Sequence, residues 1–172
     1  MASDTPASPW ITRFSRQATG PVLDVACGAG RHTRLFLALG LDVTALDRDT
    51  SRLGDIANHP GLTALETDLE TGADAWRPAP QAFGTVVVTN YLWRPLLPAL
   101  VDAIAPGGML LYETFALGNE KYGKPSNPDF LLAPDELKNA VEGMLDVVAY
   151  EHGDITEPHP AVIQRICALK AP

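Results

Sequence analysis

The stretch Val22-Leu23-Asp24-Val25-Ala26-Cys27-Gly28-Ala29-Gly30 constrains the chain most, because a run that reads as a buried strand passes straight into a glycine turn and then a helical pattern. Glycines at 28 and 30 let the main chain approach a ligand with no Cβ in the way, and a helix opening near Arg31 aims unpaired amides at that ligand. The next strand, Asp42-Val43-Thr44-Ala45-Leu46, ends in Asp47, and a third ends near Asp68. An acid about 20 positions after the glycines suits a ribose diol, since one carboxylate accepts from both hydroxyls. Together these features predict a nucleotide-like ligand across the carboxyl ends of parallel strands.

The rest of the sequence reads as alternating helices and strands. Trp10, Ile11, Phe14 and Ala18 recur at helical spacing before Thr19-Gly20-Pro21. Arg31 to Leu39 predicts a second helix capped by Gly40, and Asp49 or Thr50 a third reaching about Asn58. Leu62–Glu66, Phe83–Thr89 and Met109–Thr114 read as strands, with a helix between Pro95 and Ala105. The fold class is α/β, a doubly wound and mostly parallel sheet. Residues 116–132 carry Gly118, Gly123, Pro125 and Pro128 with little periodicity, as a lid or substrate loop does. Ala133-Pro134-Asp135-Glu136 opens a last helix, and Asp146–Glu151 and Val162–Leu169 read as the final strands.

With 172 residues, 46% of them apolar, a single domain over 1–172 is expected, with residues 1–9 loosely ordered. A net charge of −8 and no basic run argue against nucleic acid as a partner. Cys27 and Cys167 supply neither a disulfide framework nor a metal-ligand spacing. The N-terminus lacks a signal core and no apolar run reaches the roughly 18 residues of a membrane span, so a cytoplasmic protein with no membrane association is expected; a monomer or homodimer is expected as well.

In the order of these pieces the chain resembles the class I (Rossmann-like) S-adenosylmethionine-dependent methyltransferases. The matching residues are Val22–Gly30, Ala45-Leu46-Asp47, Thr67-Asp68-Leu69, Val86–Tyr91 and Ala105–Leu110. Cys27-Gly28-Ala29-Gly30-Arg31-His32 followed by Val43–Asp47 is most similar to small bacterial enzymes related to the tellurite-resistance and thiopurine methyltransferases. The resemblance implies a seven-stranded sheet whose C-terminal hairpin forms an antiparallel edge. It also implies S-adenosylmethionine as cofactor and in-line methyl transfer to a small-molecule acceptor.

Cofactor contacts implied by the resemblance fall on Asp24, Ala26, Gly28, Gly30, Arg31, Asp47, Arg48, Asp68, Leu69, Thr89 and Asn90. Asp24 has two readings, bracing the glycine turn or reaching the ligand's amino group through water. Asp68 either caps a helix or accepts from the adenine amino group. The candidate catalytic residues are Tyr91, Glu113 and His32. Tyr91 is an aromatic wall for a sulfonium or part of the floor. Glu113 takes a proton, binds substrate or pins the lid, and His32 acts as a base or contacts the methionine carboxylate. Asn90-Tyr91-Leu92-Trp93 lacks the two prolines of the amino-methylating signature, which argues against adenine or cytosine N-methylation. Two other readings remain open: an NAD(P)-dependent oxidoreductase, whose fingerprint wants glycine where Thr33 stands, and a non-catalytic cofactor-binding module.

Overall fold

The structure, a computed structural model, describes residues 5–172. Within them one seven-stranded sheet runs in the order β3-β2-β1-β4-β5-β7-β6. Its strands are β1 (Val22–Val25), β2 (Val43–Asp47), β3 (Leu62–Glu66), β4 (Phe83–Thr89), β5 (Ile104–Phe115), β6 (Asp146–Ile155) and β7 (Ala161–Leu169). The first five pair in parallel, and β7 pairs antiparallel with both β5 and β6. This is the doubly wound sheet that the sequence predicts, with the antiparallel edge that the resemblance implies.

Four helices flank the sheet among the described residues: α1 (Pro9–Phe14), α2 (Arg31–Ala38), α3 (Leu97–Asp102) and α4 (Glu136–Val141). Strand side chains alternate between faces, so each central strand feeds two cores. Val87, Met109, Leu111 and Cys167 join Trp10, Phe14 and Phe36 from α1 and α2. Val86, Val88, Leu110 and Ile166 join Leu100, Leu137 and Val141 from α3 and α4. Continuous apolar runs such as Val86-Val87-Val88 are what a strand covered on both faces requires.

Two regions differ from the sequence reading. In place of a helix from Asp49 or Thr50 to Asn58 there is a 3-10 turn at Ser51–Leu53 followed by further turns. Leu53 is the one fully buried residue there, and the Asp49 carboxylate accepts from the Ser51 amide in a local turn, so little apolar surface rewards a continued helix. Residues 116–132 are folded more tightly than their composition suggests. Leu117 N donates to Leu132 O at 3.0 Å and Leu132 N to Phe115 O at 2.9 Å, closing the base of the loop, and 3-10 turns occupy Asn119–Lys121 and Pro128–Phe130.

Of the segment 1–9, residues 1–4 lie outside the described residues, while Ser8 is buried and caps α1 by accepting from the Trp10 amide at 3.1 Å. Trp10 then anchors α1 to the sheet. Its indole donates to Ile166 O at 3.2 Å, its ring meets Phe14 edge-on, and the Arg165 guanidinium lies 4.9 Å from its centre. Trp10→Ala should cost about 3 to 5 kcal/mol of stability, read as a lower urea midpoint at unchanged slope.

Candidate functional site

The strand order reverses between β1 and β4. β1 leads through α2 to β2 on one side, whereas β4 and everything after it lie on the other. A ligand crevice opens at such a switch point, beyond the carboxyl ends of the strands. The backbone there is unusual on both sides. Ala26 (φ 52°) follows β1 and Asn90 (φ 54°) follows β4, each in the left-handed region that non-glycine residues seldom adopt. Such turns cost on the order of 1 to 3 kcal/mol each and concentrate at ligand sites.

The glycine turn continues this path. Gly28 (φ 55°) and Gly30 (φ 77°) both need left-handed backbone, and Gly30 leads α2, which has no side-chain cap over its first amides. The two glycines differ in surroundings. A Cβ on Gly30 would lie 2.5 Å from Leu53 Cδ2 and 2.8 Å from an Arg34 nitrogen, whereas one on Gly28 would have only an Arg52 nitrogen, at 3.9 Å, within 4 Å. Space beside Gly28 is therefore open, as a cradle for a ligand requires.

Asp24 lies beneath this turn and is 1% exposed. Its carboxylate accepts from the Thr33 hydroxyl at 2.6 Å, tying β1 to the first turn of α2. Burial raises its pKa to about 6, against the opposing pull of the Thr33 bonds and Arg31. The Thr33 bond is what its reading as a brace of the turn requires. Asp47, at the end of β2, reaches across to the same turn: one carboxylate oxygen accepts from the Gly28 amide at 2.8 Å and the other from Asp49 N at 3.1 Å. Each oxygen keeps a lone pair for a diol. Arg48 follows it and is exposed. Asp68 is exposed at the end of β3 and holds Glu70 N at 2.9 Å in a local turn, while Leu69 is buried. Arg31 donates to Pro6 O at 3.2 Å.

The candidate catalytic residues are each held by neighbours. His32 is 3% exposed. Its Nε2 accepts from the Ser8 amide at 3.0 Å, which leaves the ring proton on Nδ1, 3.3 Å from Thr89 Oγ1. Burial, and secondarily Arg31, push its pKa down to about 3, so the ring is neutral at ordinary pH. The Tyr91 phenol donates to Glu70 at 3.1 Å, and burial together with that carboxylate raises its pKa. Glu113, opposite Thr89 in the β4–β5 register, accepts from the Ser8 hydroxyl at 2.7 Å and from Arg165 at 3.2 Å. Asn90 is exposed, and its amide donates to Glu113 O at 3.0 Å.

Several supporting residues escaped the sequence reading. Arg165, the one charge in an apolar strand, bridges Glu113 and Glu151 from the register position between them. Ser8 before Pro9 carries the signature of a helix cap with proline in the first turn. Arg94 spends its guanidinium on Glu136, Asp129 O and Leu131 O, holding the end of the 116–132 loop against the exit of β4. Asn119, 2% exposed, fixes the other end by donating to Pro125 O and accepting from Val162 N. Among the described residues no three His, Cys, Asp or Glu side chains converge as a metal site would need, and no helix is long and apolar enough to cross a membrane.

The neutral His32 ties stability to pH. Its folded pKa lies below the ordinary value, so its contribution is complete above about pH 6.5 and is lost as pH falls toward 3. Asp24 has the opposite sign, its contribution being complete below about pH 4 and lost as pH rises through about 6. The stability of wild type relative to His32→Gln should therefore fall by about 1.4 kcal/mol per pH unit below 6.5. Urea titrations of both proteins between pH 7 and 5 check this, and a constant difference would mean that His32 protonates freely in the folded state. The two glycines should also separate. Gly30→Ala lowers the melting temperature, whereas Gly28→Ala spares it more and instead fills the ligand cradle.

No protein-family model matches the chain. It is 30% identical over 112 residues to trans-aconitate 2-methyltransferase of Rhizobium meliloti, covering 61% of this chain and 42% of that protein. The same enzyme of Streptomyces avermitilis is 35% identical over 102 residues, covering 54% and 38%. The chain thus spans less than half the length of these curated relatives. Among solved structures, TehB from Haemophilus influenzae superposes with a TM-score of 0.73 at 18% identity, over 98% of this chain and 63% of that one. An S-adenosylmethionine-dependent methyltransferase from Mesorhizobium loti gives 0.70 at 15% identity, over 95% and 99%. The chain has the Rossmann-like methyltransferase fold and resembles the class I S-adenosylmethionine-dependent methyltransferases.

Proposed function

We propose that the chain is an S-adenosylmethionine-dependent methyltransferase that acts on a small-molecule acceptor. The observation that carries this reading is the Asp47–Gly28 hydrogen bond, which fixes a carboxylate with spare lone pairs beside an open glycine cradle at the switch point of the sheet. Asp47 would take the ribose hydroxyls, Asp68 and Leu69 the adenine, and Gly28, Gly30, Arg31 and Arg48 the rim of the cradle. Ala26, Thr89 and Asn90 would line the methionine end, and Asp24 braces the turn from below. Thr33 favours this cofactor over a nicotinamide dinucleotide. It stands where the dinucleotide fingerprint has a third glycine, and it is fully buried with its hydroxyl on Asp24.

The cofactor supplies a sulfonium-borne methyl group, and transfer is a displacement along the line from acceptor to sulfur. The protein's work is alignment and exclusion of water. Tyr91, held protonated by Glu70, serves as a wall rather than a base, and the engaged nitrogens of His32 assign it to orientation. Glu113, held by Ser8 and Arg165 at the end of β5, would border the acceptor. Arg165, already shared between two carboxylates, offers little charge to an acceptor, which favours one less anionic than a tricarboxylate. The reading extends to a cytoplasmic monomer or homodimer with no nucleic-acid partner.

Calorimetry tests the cofactor. S-adenosylhomocysteine should bind and NAD should not, and Asp47→Ala should weaken binding roughly 10- to 100-fold, the loss of hydrogen bonds to a charged acceptor. Glu113→Gln should leave that affinity near wild type and act on turnover. Heat from NAD alone would move the chain to the oxidoreductases. Hydrogen exchange tests the loop: Leu117, Leu132 and the Tyr122 and Gly123 amides held by Asn119 should exchange slowly with or without ligand, and protection gained on adding S-adenosylhomocysteine should fall on the tip, residues 124–127.

A further inference from the structure

Residues 5–8 lie against the site on the face of the sheet covered by α1 and α2. Thr89 and Glu113, paired in register, and Arg165 and Glu151 beyond them form a row across four adjacent strands on that face. The segment crosses the near end of this row. Three of its hydrogen bonds go to groups around the switch point: Arg31 donates to Pro6 O, the Ser8 amide donates to His32, and the Ser8 hydroxyl donates to Glu113. Through His32 the contact continues to Thr89. One residue thus joins the first turn of α2, the exit of β4 and the end of β5. Downstream, Pro9 and the Trp10 anchor fix where α1 begins.

We propose that Ser8 is a positioning residue of this site, fastening residues 5–8 across the methionine end of the cofactor and holding Glu113 and His32 in one arrangement. The inference rests on the methyltransferase reading. Ser8 has two separable tasks. It accepts from Trp10 N as the cap of α1, and it donates to Glu113 as the fastener. Capping needs only an oxygen acceptor, whereas fastening needs a donor aimed at a carboxylate. Release of the cofactor past a fastened segment requires the Ser8–Glu113 bond to open first.

The separating variants are Ser8→Ala, which loses both tasks, Ser8→Asp, which keeps the cap and cannot donate, and Ser8→Thr, which keeps both. The readouts are the dissociation rate of S-adenosylhomocysteine, followed by stopped-flow tryptophan fluorescence, and hydrogen exchange over residues 5–12. Ser8→Asp and Ser8→Ala should release the ligand at least tenfold faster and exchange faster in this segment, and Ser8→Thr should restore both. If Ser8→Ala fails to fold, Ser8→Asp carries the comparison alone. Wild-type release from Ser8→Asp would leave Ser8 as a helix cap only and overturn the proposal while the methyltransferase reading stands. Absence of S-adenosylhomocysteine binding to the wild-type chain would overturn both.

Discussion

The bond between Asp24 and Thr33 is the constraint on which the ligand end of this molecule depends. It lies at the bottom of the glycine turn, where β1 must stop, reverse and feed α2 within a few residues. An ionised carboxylate there is expensive, as its raised pKa records, and the Thr33 hydroxyl at 2.6 Å offsets part of that cost. Once the first turn of α2 is fixed to β1, the positions of Gly28, Arg31 and His32 follow. The Asp47 carboxylate then has a defined amide to meet. A dinucleotide site that packs glycine at position 33 has no hydroxyl for this brace, so Thr33 selects a different underside for the same turn.

Much of this was legible in the sequence because periodicity and punctuation agreed with tertiary packing. Val86-Val87-Val88 could only be a strand covered on both faces, and Asp47 could be placed at a strand end without any knowledge of its partner. The failures share one cause. The segment after Asp49 looked helical through its caps, but only Leu53 is fully buried there, with Ile56 half-buried beside it, and packing overrode the local signal. The 116–132 loop showed little periodicity because its order comes from the Asn119–Pro125, Arg94–Glu136 and Gln164–Ala133 bonds, which form only after the chain has folded. No spacing rule joins Arg94 to Glu136 across 42 residues. The same holds for Ser8, whose cap signal was present but whose contact with Glu113 spans 105 residues.

At the candidate site, the residues with the most reactive chemistry are also the most firmly held. His32 is neutral with both nitrogens engaged, Tyr91 is bound to Glu70, and Glu113 shares its carboxylate with Ser8 and Arg165. Such an arrangement suits a reaction that needs little proton transfer and much alignment. A chemistry requiring a strong base would need a group free to change its partners.

The closure at the base of the 116–132 loop bears on how this scaffold could diversify. The Phe115–Leu132 and Leu117–Leu132 bonds, with Arg94 and Asn119, form a clamp; the Asn119 carbonyl also takes the Tyr122 and Gly123 amides, and residues 124 and 126 lie outside these bonds. Lengthening a loop beyond a closed stem costs only about 0.6 kcal/mol for each doubling of its length. The tip therefore behaves as an exchangeable cassette. Insertions or swaps there would remodel the surface beside the candidate site while the sheet and the glycine turn remain as they are.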